Sequence, residues 1–117
     1  MHKLVILIEP VADWQAFEKN WPAFLHQAEA MPGLVREATS RVENFLYGER
    51  PVALIHELFF RNLEEGQQAM ASPPGRAAGR LLQQMTGGHM ALFFAEHKED
   101  NLANIRRYRG GPGTRNG

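Results

Sequence analysis

The segment Val52–Phe60, with the sequence VALIHELFF, limits the fold of this chain more than any other part. Its length and its apolar residues predict a β-strand, in which successive side chains point to opposite faces of the sheet. Both faces of this strand are mostly apolar, with His56 on one and Glu57 on the other. A strand with one wet face would alternate apolar and polar residues. The segment therefore predicts a strand that is covered on both sides.

Composition narrows the class of protein. A length of 117 residues suits one domain, and 44% hydrophobic with 22% charged residues is typical of a globular chain. Thirteen basic residues balance thirteen acidic ones, so we expect neither nucleic acid nor a membrane as a partner. The absence of cysteine excludes disulfides and cysteine-ligated zinc, and it is typical of a cytoplasmic protein. The apolar run Leu4–Ile8 is too short for a membrane span.

The remaining segments alternate between strand and helix patterns. Four strands are predicted: His2–Ile8, Leu34–Tyr47, Val52–Phe60 and His89–His97. Two helices are predicted between them, one capped by Asp13 and interrupted by Pro22, the other capped by Asn62 and pausing at Ser72–Pro74. The order βαββαβ is that of an α+β, ferredoxin-like fold with a four-stranded antiparallel sheet.

Two helices on one face of such a sheet leave the other face uncovered. Burial of apolar surface stabilises by roughly 25 cal/mol per Å², so an exposed apolar face would forgo several kcal/mol and promote aggregation. We therefore expect two copies of the chain to pack their sheets face to face as a homodimer. Residues 1–99 are predicted to form this single domain, and residues 100–117 to form a partly disordered C-terminal tail.

Four segments of the chain resemble the EthD-like family of the dimeric α/β-barrel superfamily. They are KLVILIEP at 3–10, Trp21 followed by MPGL at 31–34, HELFF at 56–60, and NLEEGQQAMASPPG at 62–75. The resemblance covers residues 3–99 and implies a homodimeric barrel with an interior cleft in each subunit. Many members that resemble this chain carry a histidine eight residues before the proline of the PGL turn. Phe24 occupies that position here, and His26 lies nearby on a different face of the helix.

What the resemblance implies about function leaves three interpretations open. The first is an enzyme or accessory protein that acts on a small hydrophobic organic compound in a catabolic pathway without a cofactor. The second is a non-catalytic protein that binds small apolar ligands or has a stress-related role. The third is an assembly protein whose function is dimerisation itself.

Glu57 and His56 are the first candidates for chemistry. A carboxyl group in an apolar cleft is driven toward its protonated form, which suits Glu57 to general acid or base catalysis near neutral pH. The structural alternative is an ion pair with Arg41 or Arg36 on the neighbouring strand. On the opposite face, His56 is either a proton shuttle or ligand-orienting group, or a hydrogen-bonded histidine beneath the helices.

Arg41 is the third candidate catalytic residue, as a partner of Glu57 in proton transfer. The aromatic side chains of Phe59, Phe93, Phe94 and Trp21 are the candidate lining of a ligand pocket, although aromatic residues at helical spacing are usually core. The histidines lack the spacing of a metal site, and the chain has no phosphate-binding loop or nucleophile elbow. We therefore predict neither a metal site nor a bound cofactor.

Overall fold

The computed structural model of the protein describes residues 1–103. Most of the tail predicted at 100–117 lies outside the described residues. The elements follow the predicted order: β1 (His2–Ile8), α1 (Trp14–Glu29), β2 (Arg36–Arg41), β3 (Leu54–Phe60), α2 (Leu63–Ala71), α3 (Pro73–Thr86) and β4 (Met90–Glu96). No helix within residues 1–103 is both long and apolar enough to cross a membrane.

The four strands form one antiparallel sheet in the order β2-β3-β1-β4. The two apolar strands β1 and β3 are therefore central, and the more polar β2 lies at an edge. Residues Ile6 and His56 are opposite each other in the β1–β3 pairing, as are Val5 and Glu57. This topology confirms the predicted α+β, ferredoxin-like fold.

Side-chain caps begin each helix at the predicted place. The Asp13 carboxylate accepts a hydrogen bond from the Ala16 N–H at 3.1 Å, and the Asn62 side chain accepts one from Glu65 N–H at 2.8 Å. Ser72 separates α2 from α3, and its hydroxyl accepts from the Gly75 N–H at 3.2 Å. These bonds satisfy backbone donors that have no partner inside the helix. Pro22 lies within α1, which continues through it.

The prediction of one long strand over Leu34–Tyr47 is wrong. β2 ends at Arg41, and the last bond of its pairing runs from Val42 N–H to the Ala53 carbonyl at 2.9 Å. Since β3 begins only at Leu54, the residues after Val42 have no strand to pair with. Residues 43–51 instead form a projecting connection without regular secondary structure, here called the β2–β3 arm.

The two faces of the sheet have different environments. One face packs under all three helices, and its strand residues and the helix residues above it form the core: Leu4, Ile6, Ile8, Phe17, Phe24, Ala28, Met31, Leu54, Leu58, Phe60, Ala69, Ala78 and Leu82. The opposite face, here called the open face, carries Lys3, Val5, Leu7, Ala38, Ile55, Glu57, Phe59, Ala91, Phe93 and Ala95. The Phe93 side chain remains 45% exposed on it.

Candidate acid–base site

His56 lies on the helix side of β3 and has no solvent-accessible surface. The rings of Trp21 and Phe24, both from α1, meet its imidazole edge to face, with centroid distances of 5.2 and 5.6 Å. Glu57, the next residue, points to the opposite face of the sheet, as predicted. His56 is therefore a buried imidazole held between two aromatic rings and the sheet.

Two residues of the neighbouring edge strand contact the polar atoms of this imidazole. Thr39 lies directly opposite His56 in the β2–β3 pairing, and its Oγ1 is 2.8 Å from His56 Nδ1. The Nε2 atom lies 3.0 Å from Oε1 of Glu37, although the two groups are not aligned as a hydrogen bond. Burial lowers the pKa of His56 to about 4, against the nearby charges of Glu29 and Glu57 that raise it. The ring is therefore neutral at pH 7.

Glu37 has the most strongly perturbed carboxyl group of this region. Burial raises its pKa to about 7, and a side-chain hydrogen bond with Glu29 and the charge of Glu29 add to the rise. The Glu37 side chain as a whole is 25% exposed, although its Oε1 atom is buried. A carboxyl group that titrates near neutral pH is present in both protonation states, which general acid–base catalysis requires.

Together these groups form the acid–histidine cluster, defined here as Glu29, Glu37, Thr39 and His56. Exposure decreases along it from Glu29 at the end of α1, through the partly exposed Glu37, to the fully buried His56. The arrangement can pass a proton between water and the edge of an apolar interior. No three histidine or acidic side chains within residues 1–103 are grouped so as to hold a metal ion.

Glu57 occupies a separate position on the open face. Its Oε2 atom is 2.5 Å from Nζ of Lys3, and both side chains are largely buried. The structural alternative predicted from the sequence is an ion pair of Glu57 with Arg41 or Arg36, and both of these partners are wrong. Arg36 lies over the Phe59 ring at 4.1 Å from its centroid and is 3.5 Å from a carboxylate oxygen of Glu99. The central strand β1 supplies the cation instead of the edge strand.

Arg41 does not approach either of the other predicted catalytic residues. It is opposite Leu54 in the β2–β3 pairing, and its guanidinium lies 3.4 Å from the Glu18 carboxylate at an exposed position. Glu57 is on the other face of the sheet. The predicted set of Glu57, His56 and Arg41 therefore does not form one site.

The predicted pocket residues are also divided between the two faces. Phe59 and Phe93 lie on the open face, whereas Phe94 packs beside Gly66 of α2 and Trp21 contacts His56. The space between helices and sheet holds an apolar cavity of about 10 Å³, which is room for about one water molecule. This cavity is therefore too small for an organic ligand.

A larger surface cleft of about 510 Å³ lies at the other end of α1. Its acidic residues already have structural partners, because Asp13 caps α1 and Glu9 is 2.9 Å from the Arg50 guanidinium. Glu29 lies sixteen residues after Asp13, at the other end of α1, which corresponds to roughly 24 Å at 1.5 Å per residue. The acid–histidine cluster, rather than this cleft, is therefore the candidate acid–base site.

Glu29 and Glu37 are absent from the candidates that the sequence predicts. Glu37 lies two residues before Thr39, so both share one face of β2, and this spacing is the only local signal for the cluster. Recognising the signal requires the register that brings Thr39 opposite His56, and the position of Glu29 at the end of α1.

The fold and its dimensions match those of solved ferredoxin-like α+β proteins. An ethyl tert-butyl ether D (EthD) family protein from Bacillus halodurans C-125 is similar with a TM-score of 0.77 and 28% identity, over 84% of this chain and 99% of that protein. This similarity confirms the predicted resemblance to the EthD-like family. No protein-family model matches the chain, and no curated protein does.

Two more distant structures share the fold alone. SnoaB, a cofactor-independent oxygenase from Streptomyces nogalater, has a TM-score of 0.65 and 12% identity, over 85% of this chain and 94% of its own. A dimeric ferredoxin-like protein of unknown function from Jannaschia sp. CCS1 has a TM-score of 0.64 and 13% identity, over 82% of this chain and 98% of its own.

Proposed function

We propose that this protein is a homodimeric enzyme or accessory protein of catabolism that moves a proton on a small hydrophobic organic compound without a cofactor. The observation that supports it is the position of the Glu37 carboxyl group, which titrates near pH 7 beside a buried neutral imidazole. Glu37 is the proposed acid and base, and His56 is a positioning residue. The cysteine-free sequence supports a cytoplasmic location.

The proposed step is proton abstraction next to a carbonyl group. The Glu37 carboxylate takes a proton from a C–H bond of the substrate, and the electron pair of that bond moves into an enolate. The proton leaves to water through Glu29, whose carboxyl group contacts that of Glu37. Trp21 borders His56 and would offer an apolar surface to the substrate at the edge of the sheet.

The homodimer is supported by the composition of the open face. Val5 and Phe59 are buried there within the subunit, whereas Leu7 and Ile55 are partly exposed and Phe93 is 45% exposed, on the side opposite the helices. A face of this kind is normally covered in a stable protein. Two structural neighbours, from Jannaschia sp. CCS1 and Bacteroides fragilis NCTC 9343, are themselves described as dimeric.

Proton exchange in heavy water tests the proposed chemistry directly. The probe is 2-indanone, a small hydrophobic ketone whose C–H exchange is followed by proton NMR. We expect the wild-type protein to accelerate exchange and Glu37→Gln to lose at least about a hundredfold of this rate, which is the lower end of the usual scale of general base catalysis. Glu96→Gln, which removes an exposed carboxyl group of β4, is the matched control and should behave as wild type. Equal rates for wild type and Glu37→Gln would refute the assignment of Glu37.

The alternative is a non-catalytic protein that binds small apolar ligands. It is favoured by the mutual pairing within the cluster, since Thr39 contacts His56 and Glu29 contacts Glu37. In that case ketone binding, measured by quenching of tryptophan fluorescence, should occur without any acceleration of exchange. Affinity should then be equal in wild type and Glu57→Gln.

A further inference from the structure

The tip of the β2–β3 arm carries two adjacent apolar side chains that nothing in residues 1–103 covers. Leu46 is 84% exposed and Tyr47 is 95% exposed. Single exposed apolar residues are common on protein surfaces, but an adjacent pair on a projecting segment marks an interaction site more often. Tyrosine is also among the residues enriched in the centres of interfaces.

Contacts within the arm hold this tip in a defined shape. Gly48 has a φ of +137°, and the Phe45 ring packs so close to it that a Cβ atom there would lie 3.0 Å from Phe45 Cζ. This packing closes the turn and leaves Phe45 39% exposed, less than Leu46 and Tyr47 beside it. At the base, the ion pair of Arg50 with Glu9 at 2.9 Å ties the arm to the end of β1. A preformed tip loses little conformational entropy when it docks.

The expected size of the dimer interface points to the second subunit as the occupant. Strands of six or seven residues, spaced by about 4.8 Å, give the open face a projected area of roughly 400 Å². A stable interface buries about 800 Å² on each partner. The open face alone therefore supplies only about half of the area that a stable interface buries, and a buried aromatic side chain adds about 150–250 Å².

We infer that the β2–β3 arm is a dimer clasp, with Leu46 and Tyr47 of each subunit buried against the other subunit. The inference rests on the homodimer of the proposed function and adds a specific contact to it. The arm joins the edge strand β2 to the central strand β3, so it lies next to one end of the sheet on which the second subunit is proposed to lie. Its symmetric use in a twofold dimer would bury two such tips.

Sedimentation equilibrium of the full chain tests the inference. The Leu46→Ser, Tyr47→Ser double variant should raise the dimer Kd at least tenfold, because two apolar anchors per subunit are lost. Leu63→Ser, at an exposed apolar residue that begins α2, is the matched control and should change the Kd less than twofold. Thermal unfolding of the isolated monomer should be unchanged in the double variant, because both side chains are exposed within the subunit.

A second readout does not depend on the affinity. Replacing Tyr47 by photoreactive benzoylphenylalanine should give a covalent dimer on irradiation, and the same replacement at Leu63 should not. A Kd of the arm variant within twofold of wild type, with no cross-linked dimer, overturns the clasp. A third outcome is that the wild type binds phosphatidylcholine vesicles and the arm variant does not, while both remain dimers. The arm then contacts lipid, and the clasp is likewise overturned.

The open-face variant Phe93→Asp separates this inference from the proposed homodimer. If Phe93→Asp dissociates the wild-type dimer but the arm variant does not, the clasp is overturned and the homodimer remains supported. A wild-type chain that is monomeric at micromolar concentration would overturn both.

Discussion

Replacing Glu37 by glutamine should change how the stability of the protein depends on pH. Burial raises the pKa of Glu37 from 4.5 to about 7 in the folded protein. The folded state therefore holds this proton more tightly than the unfolded state does. The associated stability is complete below pH 4.5 and is lost as the pH rises through 7. At about 1.4 kcal/mol for each pH unit, the loss amounts to about 3 kcal/mol.

His56 has the opposite effect over an overlapping range of pH. Burial lowers its pKa from 6.5 to about 4, so the folded state favours the neutral ring. Its stability contribution is complete above pH 6.5 and is lost as the pH falls through 4, again by about 3 kcal/mol. The two effects largely cancel in the wild-type protein between pH 4.5 and 6.5. Glu37→Gln removes one of them and leaves the other unopposed.

Urea unfolding at a series of pH values, at fixed protein concentration, measures this effect. The free energy of unfolding of Glu37→Gln minus that of wild type should rise by about 3 kcal/mol between pH 4.5 and 7.5. The same difference for Glu96→Gln should stay constant to within about 0.5 kcal/mol, since exposed ion pairs contribute little. A constant difference for Glu37→Gln, or one that falls with pH, would refute an elevated pKa at this carboxyl group.

Two further predictions concern packing and charge. Gly75→Ala should destabilise the protein by about 3 kcal/mol in urea unfolding, because the added Cβ would lie 2.1 Å from the Ala69 carbonyl oxygen. The matched substitution Gly79→Ala meets no atom within 4 Å and should stabilise the protein by about 0.5–1 kcal/mol. Equal effects of the two substitutions would contradict the close contact of α2 with α3. A double-mutant cycle of Lys3→Met and Glu57→Gln should give a coupling energy of about 1–2 kcal/mol, and a value below about 0.3 kcal/mol would mean that this ion pair is not formed.

The sequence predicts those parts of the fold that depend on local pattern. The apolar run of β1 and the side-chain caps at Asp13 and Asn62 lie within a few residues of the structure they determine. The error at Leu34–Tyr47 has a different origin. Whether residues 43–47 form a strand depends on a pairing partner, and β3 begins too late in the chain to provide one.

The candidate site was only partly predictable for the same reason. Strand alternation alone places His56 and Glu57 on opposite faces of the sheet. The partners of His56 could not be predicted, because Thr39 and Glu37 face it only in one register of β2 against β3, and Glu29 comes from the end of a helix 27 residues earlier in the chain. Long-range contacts of this kind leave no local sequence pattern. The proposed pairing of Glu57 with an arginine failed similarly, since Lys3 lies 54 residues away.

The titration of the Glu37 carboxyl group tests the central claim most directly. Carbon-13 NMR of the glutamate carboxyl groups, with the Glu37 signal assigned by its loss in Glu37→Gln, gives the midpoint without reference to any substrate. The account predicts a midpoint near pH 7. A midpoint near the ordinary glutamate value of about 4.3 would contradict it, because the carboxyl group would then be fully ionised at neutral pH and could not serve as both acid and base.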